Sequence, residues 1–255
     1  MSKLIQYILL DILKNRIILA YAFFLLLASL VLFSLEENSG KAVLSIMNIV
    51  LIISPLVTMV FSTIHYYNSY EFIELILSQP ISRKKVLLSE FLAIGLALVC
   101  ALIIGLGIPI LIYSMYIESI WLLLTTIPLT LSCVAIALWV CVKIKDKAKG
   151  IGIVLLIWFY FSMIYDGILL MLLFGLSDYP LEKLTLVLVA LNPVDLARVS
   201  IMLKMDVSAL MGYTGALYKE FFSSTAGLLW TFAILILWIL VPLFFAVRAF
   251  NKKDL

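Results

Sequence analysis

The chain has 255 residues, of which 65% are hydrophobic and 13% charged, with a mean hydropathy of +1.22. A soluble domain is about 45–50% apolar and about 25% charged, so most of this chain has no water-facing surface to offer and a soluble enzyme or binding domain is excluded. The net charge of +3 is too small to argue for a nucleic-acid partner.

The pattern predicts an all-α, polytopic membrane protein forming one domain over residues 1–255. Residues 3–14 come first. Leu4, Ile5, Ile8, Leu9, Ile12 and Leu13 recur at helical spacing, while Lys3, Tyr7, Asp11 and Lys14 fall opposite. That describes a helix lying in the headgroup region. Lys14, Asn15 and Arg16 mark a boundary before the next apolar run. The short apolar core and small-residue cleavage site of a signal peptide are not evident.

Crossing the hydrocarbon core takes about 20 apolar residues, and six stretches qualify. They are Ile17–Leu35, Ala42–Tyr70, Phe91–Ile117, Ser119–Val142, Gly150–Ser177 and Phe221–Val247. Pro55 is a kink point in the second. Gly105, Gly107 and Pro109 loosen the far end of the third.

Tyr70–Glu90 interrupts the second and third spans. Glu71 and Glu74 lie one turn apart on a helix face. Gln79-Pro80 breaks the helix, because proline lacks the amide proton and crowds the preceding turn. Ser82 can cap a new helix, and Arg83, Lys84 and Lys85 follow. The segment reads as a helix, an elbow and a second helix, a polar hairpin over 71–90 that a partner can grip. A cytoplasmic loop anchored by basic residues is the plainer alternative.

Residues 178–220 form the one long segment that does not span. Its uncharged run Leu184–Val194 is too short to cross. Asn192, Pro193, Asp195, Arg198, Lys204 and Asp206 follow, then Gly212, Tyr213, Thr214 and Gly215. Frequent apolar residues favour re-entrant or interfacial helices over a disordered loop.

Orientation follows the placement of Lys and Arg. With the N-terminus in the cytoplasm, Lys41, Lys183, Arg198, Lys204 and Lys219 lie outside. The other thirteen of the eighteen basic residues lie inside. Both termini are then cytoplasmic. Glu71, Glu74 and Glu90 balance the cations of the hairpin, which suits a protein contact better than attraction to anionic lipid.

Catalytic constellations are missing from the sequence. No Gly-x-x-x-x-Gly-Lys-Ser/Thr phosphate loop and no Gly-x-Ser-x-Gly elbow occurs. Cys100, Cys133 and Cys141 sit in apolar runs without Cys-x-x-Cys spacing, which supports neither a disulfide framework nor a zinc site. His65, beside Tyr66 and Tyr67, has no evident acid partner. The methionines, including Met163, Met202, Met205 and Met211, suit copper(I) by their chemistry but read better as apolar filler. No metal site is assigned.

Asp166 is the informative acid within a span. It lies about 24 Å along the fifth span, at about 1.5 Å per residue, in its outer third. Facing lipid there costs about 2–3 kcal/mol. It is therefore expected to point inward, meet a partner or sit at the outer interface.

The stretch LSQPISRKKVLLSEF at 77–91 resembles the segment after the second span of ABC-2-type permeases. In that family this segment docks into a cleft on an ATPase subunit. LNPVDLARV at 191–199, ALMGYTGALYKEFF at 209–222 and YDGILL at 165–170 resemble the corresponding stretches of NosY-type permeases within it.

The resemblance implies an ABC-2 (type V-like) permease fold working as a homodimer in the bacterial inner membrane. It implies coupling to a cytoplasmic NosF-type ATPase dimer and a periplasmic copper-binding NosD-type protein, in maturation of the copper sites of nitrous oxide reductase. ATP and Mg would reside in the ATPase. The chain itself would bind no cofactor and catalyse nothing.

The residues expected at the ATPase contact are Glu71, Glu74, Gln79, Pro80, Ser82, Arg83, Lys84 and Lys85. Asn192, Pro193, Asp195, Arg198, Gly212, Tyr213, Thr214 and Gly215 are expected to face an outer partner. Two rival readings stay open. One is an ABC-2 permease exporting another substrate. The other is an ATPase-independent secondary transporter or membrane scaffold, which would need internal repeats or broken central spans with charged sites.

Overall fold

The structure is a computed structural model and describes residues 2–36, 39–113, 117–175, 182–204 and 225–252. Every regular element among them is helical. Among the described residues six helices are long and apolar enough to cross a membrane. Helix α1 (Ser2–Leu13) precedes the first span, α2 (Arg16–Leu35). Asn15 caps α2 by accepting from the Ile17 amide at 2.9 Å. Helix α3 (Ser39–Asn68) is the second span. After Ser69 the short helix α4 (Tyr70–Leu77) begins, so the second span ends two residues earlier than the sequence predicts.

The third span is one continuous helical stretch, Arg83–Tyr113. It is built from α5 (Arg83–Leu102), a π-helical turn (Ile103–Gly107) and α6 (Ile108–Tyr113). The span therefore starts at the hairpin's cations, eight residues before the predicted Phe91. It stops short of Ile117, which opens α7 (Ile117–Lys143).

Pro109 explains the π turn. It carries no N–H for the carbonyl of Gly105 four residues back. That carbonyl accepts instead from the Ser29 hydroxyl of α2, at 2.8 Å. Gly105 is required for this approach, since a Cβ there would lie 2.5 Å from Leu25 Cβ.

The fifth span runs through α8 (Lys147–Phe159), a second π turn (Tyr160–Ile164) and α9 (Tyr165–Gly175). Two helices that do not span follow, α10 (Glu182–Ala190) and α11 (Pro193–Lys204). The last span is α12 (Thr225–Asn251). It continues past the predicted end at Val247, and the predicted start at Phe221 lies outside the described residues.

Helix α7 is the hub and packs against α3, α5, α8, α11 and α12. Its core face is rich in small residues, among them Thr126, Thr130, Ser132, Cys133, Ala135 and Ala137, all buried. Small residues let helices approach closely in a medium where lipid supplies no hydrophobic drive. The hydroxyls on this seam bond back into their own helices. Thr130 donates to the Thr126 carbonyl at 2.9 Å, and on α3 Ser62 donates to that of Thr58 at 2.6 Å.

Helix α1 uses its apolar face inside the chain. Ile8 and Ile12 are buried and the helix packs along α5. The face that the sequence assigns to the headgroup region is thus taken up by protein, while Lys3, Tyr7 and Asp11 stay exposed as expected.

Candidate functional site

The elbow between α4 and α5 presents both charge signs at one tip. Ile73 and Ile76 are buried and fix α4 onto the bundle. Glu71, Glu74, Leu75 and Ser78 then fall on the outward face and are exposed, at the i, i+3, i+4, i+7 spacing of one helical stripe. Gln79, Pro80, Ser82, Lys84 and Lys85 are also exposed, and Arg83 is half-buried. A groove of about 440 Å³ opens between Glu74, Leu77, Ser78, Ile81 and Arg83.

Ser82 stands at the N-cap position with an extended backbone, yet its side chain makes no capping bond. Its carbonyl accepts from the amides of Lys85 and Val86. Arg83 reaches the far end of the chain, where its Nη1 donates to the Asn251 carbonyl at 3.4 Å. Tyr7 of α1 stacks on Phe72 with ring centroids 5.9 Å apart. Burial and the neighbouring Glu74 carboxylate raise the Tyr70 phenol above its ordinary value.

Two residues at this end sit differently from the sequence expectation. Glu90 is 1% exposed, so it lies beneath the hairpin and does not join its surface charge balance. His65 does have an acid partner, since its Nε2 lies 3.5 Å from Glu90 Oε2. Neither Glu90 oxygen makes a hydrogen bond among the described residues. Sequence reading missed the pair because its members are 25 positions apart and meet only when α3 packs near α5. Leu75 was also missed. Its signal was an apolar residue within an otherwise polar helical stripe, and it is 62% exposed.

The neighbouring loop is tied to the bundle. Lys147 Nζ donates to Asn68 Oδ1 at 2.7 Å, and Lys143 lies over the Trp139 ring at 4.7 Å. The Tyr67 hydroxyl donates to the Ile144 carbonyl at 2.9 Å. Asp146 caps α8 by accepting from the Lys149 amide.

The opposite half holds a second polar cluster. Helices α10 and α11 meet at Asn192, deep in the bundle. Trp238, halfway along α12, donates to the Ala190 carbonyl at 2.9 Å. Asn192 Nδ2 donates to the carbonyl of Phe161, in the π turn of the fifth span, at 2.8 Å. From this tip α11 runs away from the hairpin end, until Lys204 lies over Trp121 at the start of α7. The pair is a helical hairpin, and polar side chains of the spans and of Asn192 serve the backbone at its turn.

Asn192-Pro193 begins α11 for a local reason. Asn192 Oδ1 accepts from the Val194 amide at 2.9 Å, a capping bond. Proline at the first helical position forgoes a donor that had no partner.

Arg198 joins this tip to Asp166. Its Nη1 pairs with Asp166 Oδ2 and with Asp195 Oδ1, the latter at 3.1 Å. Asp195 also accepts from Asn192 Nδ2 at 2.9 Å. Asp166 thus meets a partner inside the chain. Burial raises the Asp195 carboxyl, the Asp166 carboxylate adds to that, and Arg198 pulls it back.

Four of the residues expected to face an outer partner lie in this cluster. Asn192, Pro193 and Asp195 are buried, and the side chain of Arg198 is 22% exposed. Their polar atoms serve the chain itself. Gly212, Tyr213, Thr214 and Gly215 lie outside the described residues, as do Met205 and Met211. Among the described residues no group of three His, Cys, Asp or Glu side chains could hold a metal ion.

The model of the ABC-2 family transporter protein matches residues 72–255, more than two thirds of the chain. The chain belongs to the ABC-2 transporter family. No curated protein matches it. The match begins at Phe72, inside α4, so the turn at 78–82 and all of α5 lie within the matched region and Glu71 just precedes it. ABC-2 permeases are the membrane component of ABC transport, and the all-helical architecture with six apolar spans is of that kind.

Proposed function

We propose that this ABC-2 permease docks a separate ATPase through the α4–α5 elbow and passes its motion into the spans. The observation that carries this reading is the outward stripe Glu71, Glu74, Leu75 and Ser78, facing an elbow with Arg83 and Lys85. The chain works as a dimer with both termini in the cytoplasm, an orientation supported by the thirteen-to-five distribution of Lys and Arg.

Within the family we read the chain as NosY-type, in copper-site maturation of nitrous oxide reductase alongside NosF-type and NosD-type partners. Support comes from YDGILL and LNPVDLARV, whose Asp166 and Arg198 pair with each other. Asn192, Asp195 and Arg198 act in this reading by fixing the α10–α11 hairpin. Contact with an outer protein falls to other residues.

The test is co-purification of the ATPase, followed by ATP turnover in the assembled complex. Truncating one partner of an interfacial charge pair costs about 2–5 kcal/mol. Glu71→Lys with Glu74→Lys, and separately Arg83→Glu, are expected to weaken docking at least tenfold while the spans still insert. Lys143, Lys145 and Lys147 changed together to Gln should do less. Normal docking by the elbow variants, with loss in the 143–147 variant, would move the coupling element to the other loop.

A further inference from the structure

We propose that the groove between the start of α5 and the end of α12 is a binding site for an anionic phospholipid. The groove holds about 580 Å³. Its polar end carries Lys84, Arg248 and Lys252, and its apolar wall is formed by Leu240, Leu243 and Phe244. The three cations are exposed. None of them has an ion-pair partner among the described residues.

Cations near the last turn of a helix can answer its unsatisfied carbonyls. Arg83 already does so by donating to Asn251. Three more positive charges without acid partners among the described residues exceed that need. They cluster where the third and sixth spans end, at headgroup level for a chain with these six spans.

The apolar wall runs from there toward the middle of the sixth span. Leu240 to Arg248 covers about 12 Å of helix at about 1.5 Å per residue, and Leu240 and Phe244 are exposed along it. A phosphate at the cations and an acyl chain along Leu240 and Phe244 would meet both ends of this groove. Basic pockets between spans on this kind of surface suit acidic headgroups.

Charge decides against the other occupants. A second copy related by a two-fold axis through this groove would set three cations against three cations. A water-soluble ATPase could reach Lys84 and Lys252, but not a wall that lies within a span. A zwitterionic lipid would leave the surplus positive charge unanswered.

The experiment is native mass spectrometry of the purified full chain, titrated with phosphatidylglycerol or phosphatidylcholine in a neutral detergent. Phosphatidylglycerol is expected to bind in preference. Arg248→Gln with Lys252→Gln should weaken that binding by about 25-fold, taking about fivefold for each cation at a membrane surface. Leu240→Ala with Phe244→Ala should weaken it too. Lys145→Gln with Lys149→Gln should not. Inorganic phosphate at millimolar concentration should not displace the lipid.

Equal binding of the two lipids would overturn the proposal, as would equal loss in the Lys145/Lys149 variant. Displacement by inorganic phosphate would reduce the site to a small-anion site. A shift between monomer and dimer in the Arg248/Lys252 variant, without loss of lipid, would make the groove an interface between copies. None of these readouts requires an ATPase, so the result stands apart from the docking reading.

Discussion

Arg198→Met is the sharpest test of the cluster that holds the α10–α11 hairpin. The guanidinium serves two carboxylates, and the Asp195 side chain is only 5% exposed. Removing one member of a buried ion pair costs about 3–5 kcal/mol, because the remaining charge is stranded. The side chain of Asp166 is 34% exposed and that of Arg198 22%, so solvent screening lowers the expected loss to about 2–3 kcal/mol. For a chain of this size that corresponds to a fall in unfolding midpoint on the order of 5–10 °C.

The direction with pH also follows. The Asp195 carboxyl is raised in the folded chain. A raised acid contributes stability that is present below its unfolded value and fades as pH rises through its folded one. Without Arg198 the folded value rises further. The variant should therefore lose most stability at alkaline pH and regain part of it toward pH 5. Thermal unfolding of the purified protein, followed by tryptophan fluorescence at several pH values, reads both effects. Adding Asp195→Asn should recover much of the loss. A variant as stable as wild type at every pH would refute the stranded-charge reasoning.

His65→Phe should remove the imidazole that faces the buried Glu90 carboxylate and lower the unfolding midpoint, as a buried acid left without its partner does. Glu90→Gln should restore the midpoint, and no recovery would mean that His65 matters through packing alone. For topology, a cysteine at Ser82 should be shielded from an impermeant thiol reagent added to intact cells, and one at Lys41 should be labelled. The reverse pattern would invert the orientation. Trp238→Phe keeps a ring but deletes the hydrogen bond to Ala190. It should leave ATPase docking intact while lowering the coupled activity of the complex, and unchanged coupled activity would remove that contact from the transmission.

Hydropathy made the six spans legible, because a bilayer demands long apolar helices. Their ends were less so. The third span begins at Arg83 because the cations snorkel at a helix start while Val86 and Leu87 are already buried. The elbow could be read from Pro80 and the surrounding charges, since both are local. The pairs His65–Glu90 and Asp166–Arg198 could not, because nothing local joins residues 25 and 32 positions apart. One further signal was legible and went unread. Asn-Pro followed by an acid at 192–195 is a helix start, and its polar atoms are thereby committed to the backbone and to Arg198. Residue type alone made them look available to a partner.

The two polar sites are joined physically by the last span. At its end, the Asn251 carbonyl accepts from Arg83 of the elbow. Near its middle, Trp238 holds the tip of the α10–α11 hairpin through Ala190. The 13 steps of helix from Trp238 to Asn251 cover about 20 Å at about 1.5 Å per residue. Along the way α12 packs on α7, whose small-residue face permits close, rigid contact. A displacement of the elbow therefore need not pass through a soft loop to reach the opposite half. It can pass along α12, through the turn that Pro242 interrupts, and the hydrogen bond at Ala190 ties the α10–α11 hairpin to that movement. One carbonyl in each π turn accepts from a side chain of another element, Gly105 from Ser29 and Phe161 from Asn192. Both π turns are thus bonded to neighbouring elements.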